Sequence, residues 1–196
     1  FTFDEALEKH IVRDVEFVDG AWPRSGPNAI EQFVTQLLDV CGSTEEKLGL
    51  QSGRMRVIIR CTEASEIKAV AEMLRLKGAS VIGVHERFSS ADGAIFRREV
   101  PDPTVESATF WVHQNKLIEG LDDPAFRLIV IFGPFANARN LVQQIGRVIR
   151  NPTRAAGQKA FVLAHIQDRQ KDLWKRFIDY EKDVRERKAA GHAELS

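Results

Sequence analysis

The chain has 196 residues, 43% of them hydrophobic, and its 28 Lys plus Arg are balanced by 28 Asp plus Glu. That length and apolar content are enough for one packed core and exclude disorder throughout, while the zero net charge means that any anion-binding site has to be local. Two cysteines exclude a disulfide framework, and no run approaches the about 18 apolar residues of a membrane span, so no membrane partner and a cytoplasmic location are the expectations.

The chain begins at Phe1 without an initiator methionine, which predicts a piece of something longer. Residues 1–50 hold an amphipathic start, FTFDEALEKH, then Trp22-Pro23 and Gly26-Pro27 turns, then a helix over about 28–40 that packs on a sheet. Asp4-Glu5-Ala6-Leu7 looks superficially like a DEAD-type metal run, but no strand precedes it and it reads as a helix start. Residues 55–61 (MRVIIRC) are dense in β-branched side chains and predict a buried strand. Over 63–77, Ile67, Val70, Ala71, Leu74 and Leu76 recur at helical spacing, and Gly78 stops the helix. A second strand over 80–85 completes a β-α-β unit, the building block of a parallel sheet.

The alternation continues with strands over 108–113 and 127–132, separated by a loop carrying Glu119-Gly120-Leu121-Asp122-Asp123-Pro124. A helix over about 137–150 then ends at Asn151-Pro152, and 160–165 is one more strand. A charged helix over 168–188 carries Leu173, Trp174, Phe177, Ile178 and Val184 as an apolar stripe that needs a partner. The expected fold is α/β, a parallel sheet flanked by helices, divided as a lead-in segment and packing helix (1–50), a central domain (51–166) and a C-terminal amphipathic helix (167–196).

Residues 143–150 read Gln-Gln-Ile-Gly-Arg-Val-Ile-Arg, a Q-x-x-G-R-x-x-R run. On a helix, Arg147 and Arg150 would point the same way, and two permanently charged planar forks suit the oxygens of a transferring phosphoryl group. A lone Arg-x-x-Arg is usually a solvated face. The full octet after a buried strand, with Glu-Gly-x-Asp upstream, weighs for function.

Together these segments resemble the second RecA-like domain of superfamily 2 helicases, in order and in spacing, over roughly residues 54–166. There E/R-G-x-D is motif V, Q/H-x-x-G-R-x-x-R is motif VI, and residues 57–62 fall in the motif IV region. The Glu-Gly-x-Asp form followed by Asp-Pro is closer to DNA translocases of restriction and phage-defence systems than to DEAD-box RNA helicases. The resemblance implies ATP in a cleft between two such domains of one protein, with ATP and Mg held mainly by the N-terminal RecA-like domain. Arg147 and Arg150 would reach the γ-phosphate as arginine fingers, and Gln143 would bond that phosphate or the attacking water. Gly120, Asp122 and Gly146 would lie on the nucleotide side, with Asp122 accepting from the ribose. The nucleic-acid strand, DNA in preference to RNA, would meet Thr62, Gln114 and Asn115; DEAD-box relatives place threonine where Gln114 stands, a departure that bears on that contact.

No G-x-x-x-x-G-K-[ST] occurs, so the loop that grips ATP phosphates is missing and the chain alone is expected not to hydrolyse ATP. The rival reading is an ATPase-inactive RecA-like interaction or regulatory module. His85, His113 and His165 each end a predicted strand, but no cysteine or carboxylate spacing supports a metal, and they read as strand-end packing. Trp111 and Trp174 read as core or interface. Trp22 is left between core and a contact with nucleic acid or another domain, and Arg97-Arg98 reads as surface.

Overall fold

Val57, Ile58 and Ile59 on one strand, and Leu128 through Ile131 on another, are entirely buried. Unbroken burial of this kind is what a parallel sheet covered on both faces demands of its central strands. The computed structural model describes residues 2–115 and 123–193, with side chains described through 187. In chain order the elements are α1 (Phe3–Glu8), β1 (Asp14–Gly20), α2 (Ala29–Lys47), β2 (Arg56–Arg60), α3 (Ala64–Leu76), β3 (Val81–Val84), β4 (Phe96–Arg97), β5 (Phe110–His113), β6 (Phe126–Ile131), α4 (Ala138–Val148), β7 (Lys159–His165) and α5 (Gln170–Ala193).

The described strands form one sheet of order β1-β7-β6-β2-β5-β3-β4. Every neighbouring pair is parallel, so all strands deliver their C-terminal ends to a single edge. Alternation along the strands divides the core. Val57, Ile59, Val112, Leu128 and Val130 face α2 and α3, whose Phe33, Leu37, Val70 and Leu74 meet them. Ile58, Trp111, Ile129, Ile131 and Val162 face the other way, onto Leu141, Ile145 and Val148 of α4 and Trp174 of α5. The α/β class and the parallel sheet expected from the sequence are both present.

Several boundaries differ from expectation for identifiable reasons. β1 lies in the segment read as lead-in. Its acidic DVEFVDG suits an edge strand, and only pairing with β7, from Asp14↔Lys159 to Gly20↔His165, makes it part of the sheet. β4 is two residues long and puts Arg97 beside Val84, leaving Arg98 exposed. α2 runs past the polar Gly42-Ser43-Thr44 stretch because Cys41, Thr44 and Glu45 continue its buried face, and the Glu45 carboxylate accepts the Met55 amide at 3.1 Å.

Asp4–Leu7 does begin a helix, capped by Thr2 with Glu5 completing the reciprocal bond. The apolar stripe of α5 finds its partner within the chain. Phe3 of α1 packs edge-on against Trp174 at 5.2 Å, and Lys182 pairs with Asp4. Trp22 is core, 4% exposed, packed on Phe33 and on the His165 ring.

Candidate functional site

The neighbouring strands β2 and β5 end in register, Arg60 opposite His113, so the residues that follow them emerge side by side. Thr62 and Asn115 are exposed there and Gln114 is half-buried. The Gln114 amide donates to the Thr62 carbonyl, and its own oxygen accepts from His85 Nε2 at 2.9 Å. His85 Nδ1 in turn accepts the Arg87 amide at 3.1 Å, which leaves Nε2 to donate. The Thr62 amide donates to Glu66 at 2.7 Å and its hydroxyl shares that carboxylate oxygen. All three residues expected to face nucleic acid are thus on one edge, with Thr62 and Gln114 in contact.

Beneath this row lies a buried polar layer. His113 has no exposure, and burial, reinforced by the nearby Arg60 charge and opposed by the adjacent Gln144 side chain, pulls its pKa down to about 3. Arg60 reaches the loop between β6 and α4, donating to the carbonyls of Gly133 and Pro134 and lying over the Phe135 ring. Burial lowers its pKa as well. The same loop is gripped from α5: the buried Gln170 side chain accepts the Phe135 amide at 3.1 Å and donates to the Phe135 carbonyl at 3.2 Å.

α4 starts at this edge, capped by Asn137, and runs back across the sheet, so its C-terminal end lies at the edge where the strands begin. There the expectation of two arginines on one helix meets a shorter helix. Arg147 stands in the last turn, but α4 ends at Val148, and Arg150 forms an antiparallel bridge with Val12. Another turn would need an N–H at residue 152 for the Val148 carbonyl, which Pro152 lacks. Arg13 satisfies the carbonyls left over, its amide donating to Ile149 at 2.6 Å and its guanidinium to Val148 at 2.8 Å. Gln143 is exposed on α4, Arg147 half-buried and Arg150 exposed. A Cβ added at Gly146 would meet nothing within 4 Å among the described residues, so no packing among them requires a glycine there. Gly120 and Asp122 lie outside the described residues.

A groove of about 430 Å³ opens beside this end, lined by Ile11, Val12, Arg150, Asn151, Pro152 and Arg154. The buried Asn151 organises its floor: its amide nitrogen donates to the carbonyls of His10 at 3.0 Å and Ala155 at 2.9 Å. Arg13, Arg60 and Gln170 did not stand out in the sequence, and Asn151 did so only as the end of a helix. Of the first three, only for Arg60, a charge closing the apolar Val57–Ile59 run at a strand end, did a signal exist.

His85, His113 and His165 all stand at strand ends, but β7 is separated from β5 by β6 and β2, and His165 bonds the Trp22 carbonyl at 3.0 Å. Among the described residues, no group of three or more His, Cys, Asp or Glu could hold a metal ion. Burial pushes the Cys41 thiol up to about 12 and Cys61 well above its ordinary value, which suppresses the nucleophilic thiolate.

No family model matches the chain, and no curated relative matches it. Solved structures do. The chain is similar to the C-terminal domain of the DEAD-box protein Dbp5, with a TM-score of 0.50 and 14% identity, covering 89% of this chain and 87% of that one. It is also similar to domain 2 of the Mss116p DEAD-box helicase, solved bound to an RNA duplex, with a TM-score of 0.50 and 15% identity, covering 78% of this chain and 54% of that one. At such identities the likeness is one of fold, a parallel sheet flanked by helices of the RecA-like kind seen in these C-terminal helicase domains.

Proposed function

We propose that this chain is the second motor domain of an ATP-dependent nucleic-acid helicase or translocase, completing an ATP site whose phosphate grip and Mg lie mainly on an N-terminal RecA-like domain of the same protein. The observation that carries the reading is the division of the motif residues between the two ends of the sheet. Thr62, Gln114 and Asn115 gather at the edge where β2 and β5 end. Arg147 and Arg150 stand at the opposite edge, where Arg13 joins the end of α4 to the start of β6. A motor needs two such surfaces, one for its track and one for its fuel, joined through rigid elements.

Each surface suits its task. Arg147 and Arg150 carry the charge and planar donors that a γ-phosphate in transfer calls for, a role worth about 10³ to 10⁵ in rate in comparable systems. Gln143, exposed on the same helix, orients the phosphate or the water. Glycine inside a helix costs about 1 kcal/mol relative to alanine. Gly146 bears that cost with no described residue within 4 Å of where a Cβ would stand, which fits close approach by a nucleotide. Gly120 and Asp122 belong to the nucleotide side by their motif. At the other edge, backbone amides and short polar side chains hold a strand through its phosphates without reading its sequence. That Mss116p domain 2 was solved on an RNA duplex supports nucleic acid as the track. The Glu-Gly-x-Asp-Asp-Pro form favours DNA.

The test uses the full-length protein. Arg147→Ala and Arg150→Ala should each abolish nucleic-acid-stimulated ATP hydrolysis while leaving this domain folded. Wild-type turnover in either variant removes the role given to that residue. An upstream domain without a Walker lysine would favour the inactive module instead.

A further inference from the structure

Arg13 is 2% exposed, and its guanidinium makes three bonds to backbone carbonyls: Phe126 at 2.9 Å, Val148 at 2.8 Å and Pro124 at 2.8 Å. These acceptors come from different places. Val148 is the last residue of α4, Phe126 the first of β6, and Pro124 follows directly on the Glu119–Asp123 segment. One side chain therefore ties the close of the Q-x-x-G-R-x-x-R octet to the segment after E-G-x-D. Its backbone continues the attachment, through Arg13 to Ile149, Asn151 to Ile11, and the Val12↔Arg150 bridge.

This is an expensive way to gain stability. The nearby Asp123 gives its carboxylate to Arg56 at 2.8 Å, and burial together with the neighbouring Arg127 pulls the Arg13 pKa down to about 10. A buried cation held by carbonyls is commonly no more stabilising than an apolar side chain of the same size. What a planar fork does provide is fixed relative positions for three carbonyls, and a positive charge at the negative end of α4.

We propose that Arg13 is a positioning residue for the nucleotide edge, holding the end of α4 against the start of β6 so that Arg147 and Arg150 are presented together. It makes residues 10–13 the mechanical link between the arginines and whatever precedes them in the chain. α1 anchors the same segment to α5 through Phe3 and Trp174, so a pull on the N-terminus is delivered to Arg150 through the bridge at Val12. The inference rests on the reading of Arg147 and Arg150 as phosphate-contacting residues.

The experiment has two arms. In the full-length protein, Arg13→Gln should lower kcat for ATP hydrolysis by about 10- to 100-fold, the scale of a misplaced catalytic group, with KM changed less than about threefold. Arg13→Lys, which keeps the charge without the fork, should fall between Gln and wild type, and it carries the test if Arg13→Gln fails to fold. Wild-type kcat in both Arg13 variants overturns the proposal. The second arm measures amide exchange in this chain: Arg13→Gln should speed exchange at residues 149–151 while leaving β2 protected, and unchanged exchange there also overturns it. If Arg147→Ala keeps full turnover, the role of Arg147 is what fails, and the exchange arm still decides whether Arg13 positions the end of α4.

Discussion

The guanidinium of Arg60 lies 4.5 Å from the centroid of the Phe135 ring while donating to the carbonyls of Gly133 and Pro134. The end of β2, one residue from Cys61-Thr62, therefore holds the loop from which α4 departs. A shift at this end of β2 is expected to reach the start of α4, because packed elements of this kind move as units.

Arg60→Met keeps length and loses the donors. Hydrogen bonds to a charged group are worth about 1.5 to 3 kcal/mol, and the stacked cation adds to that. Urea unfolding should show a loss of about 2 kcal/mol. A variant as stable as wild type would mean that the loop does not depend on this clamp.

Gly133 tests the same junction from the other side. A Cβ there would stand 2.6 Å from Thr62 Cγ2 and 3.0 Å from the Thr62 amide nitrogen. Backbone cannot give way as a flexible side chain can, so Gly133→Ala should cost about 1 to 3 kcal/mol. A melting temperature equal to wild type would show that the loop and the β2 end are free to separate.

His113 predicts a pH dependence. Its folded pKa of about 3 lies below the about 6.5 of an unfolded imidazole. Between these values the unfolded chain takes up a proton that the folded chain refuses, so falling pH favours unfolding. The stability is complete above the unfolded pKa and is lost at up to about 1.4 kcal/mol per pH unit on the way down. Carboxylates with lowered pKa, Asp92 at about 2 among them, act at lower pH. Unfolding free energies at about pH 7 and about pH 5 should therefore fall more steeply in wild type than in His113→Gln, by about 2 kcal/mol. Parallel profiles would assign the acid sensitivity elsewhere.

Gln114 joins Thr62 to His85. Gln114→Ala should weaken binding of a labelled single-stranded oligonucleotide by about tenfold, the worth of one positioning contact of about 1.4 kcal/mol, equally for unrelated sequences. Fluorescence anisotropy measures it, and unchanged affinity would take Gln114 out of the strand-facing set.

Much of the sheet was legible in the chain because buried parallel strands announce themselves. MRVIIRC, FWVH and FRLIVI are short apolar runs that only a doubly covered sheet accommodates. α3 was equally plain from its spacing and the stop at Gly78, whose φ of 82° suits glycine. β1 was hidden, since an edge strand with three acidic or amphipathic positions has no apolar signature apart from its partner. The site was legible in the same uneven way. Thr62, Gln114 and Asn115 follow strand ends, and strand ends can be predicted. That Arg150 would leave the helix and bridge to Val12 could not be, because that partner lies far away in sequence.

By itself, then, the sequence determined the α/β alternation, the central strands and the residue types at both edges, since those follow from periodicity and local chemistry. Only the tertiary structure decided which motif residues share an edge, and that a buried Arg13, not helical spacing, places Arg150. Strand order and a guanidinium bonded to three separate carbonyls are long-range relationships, and no local pattern encodes them.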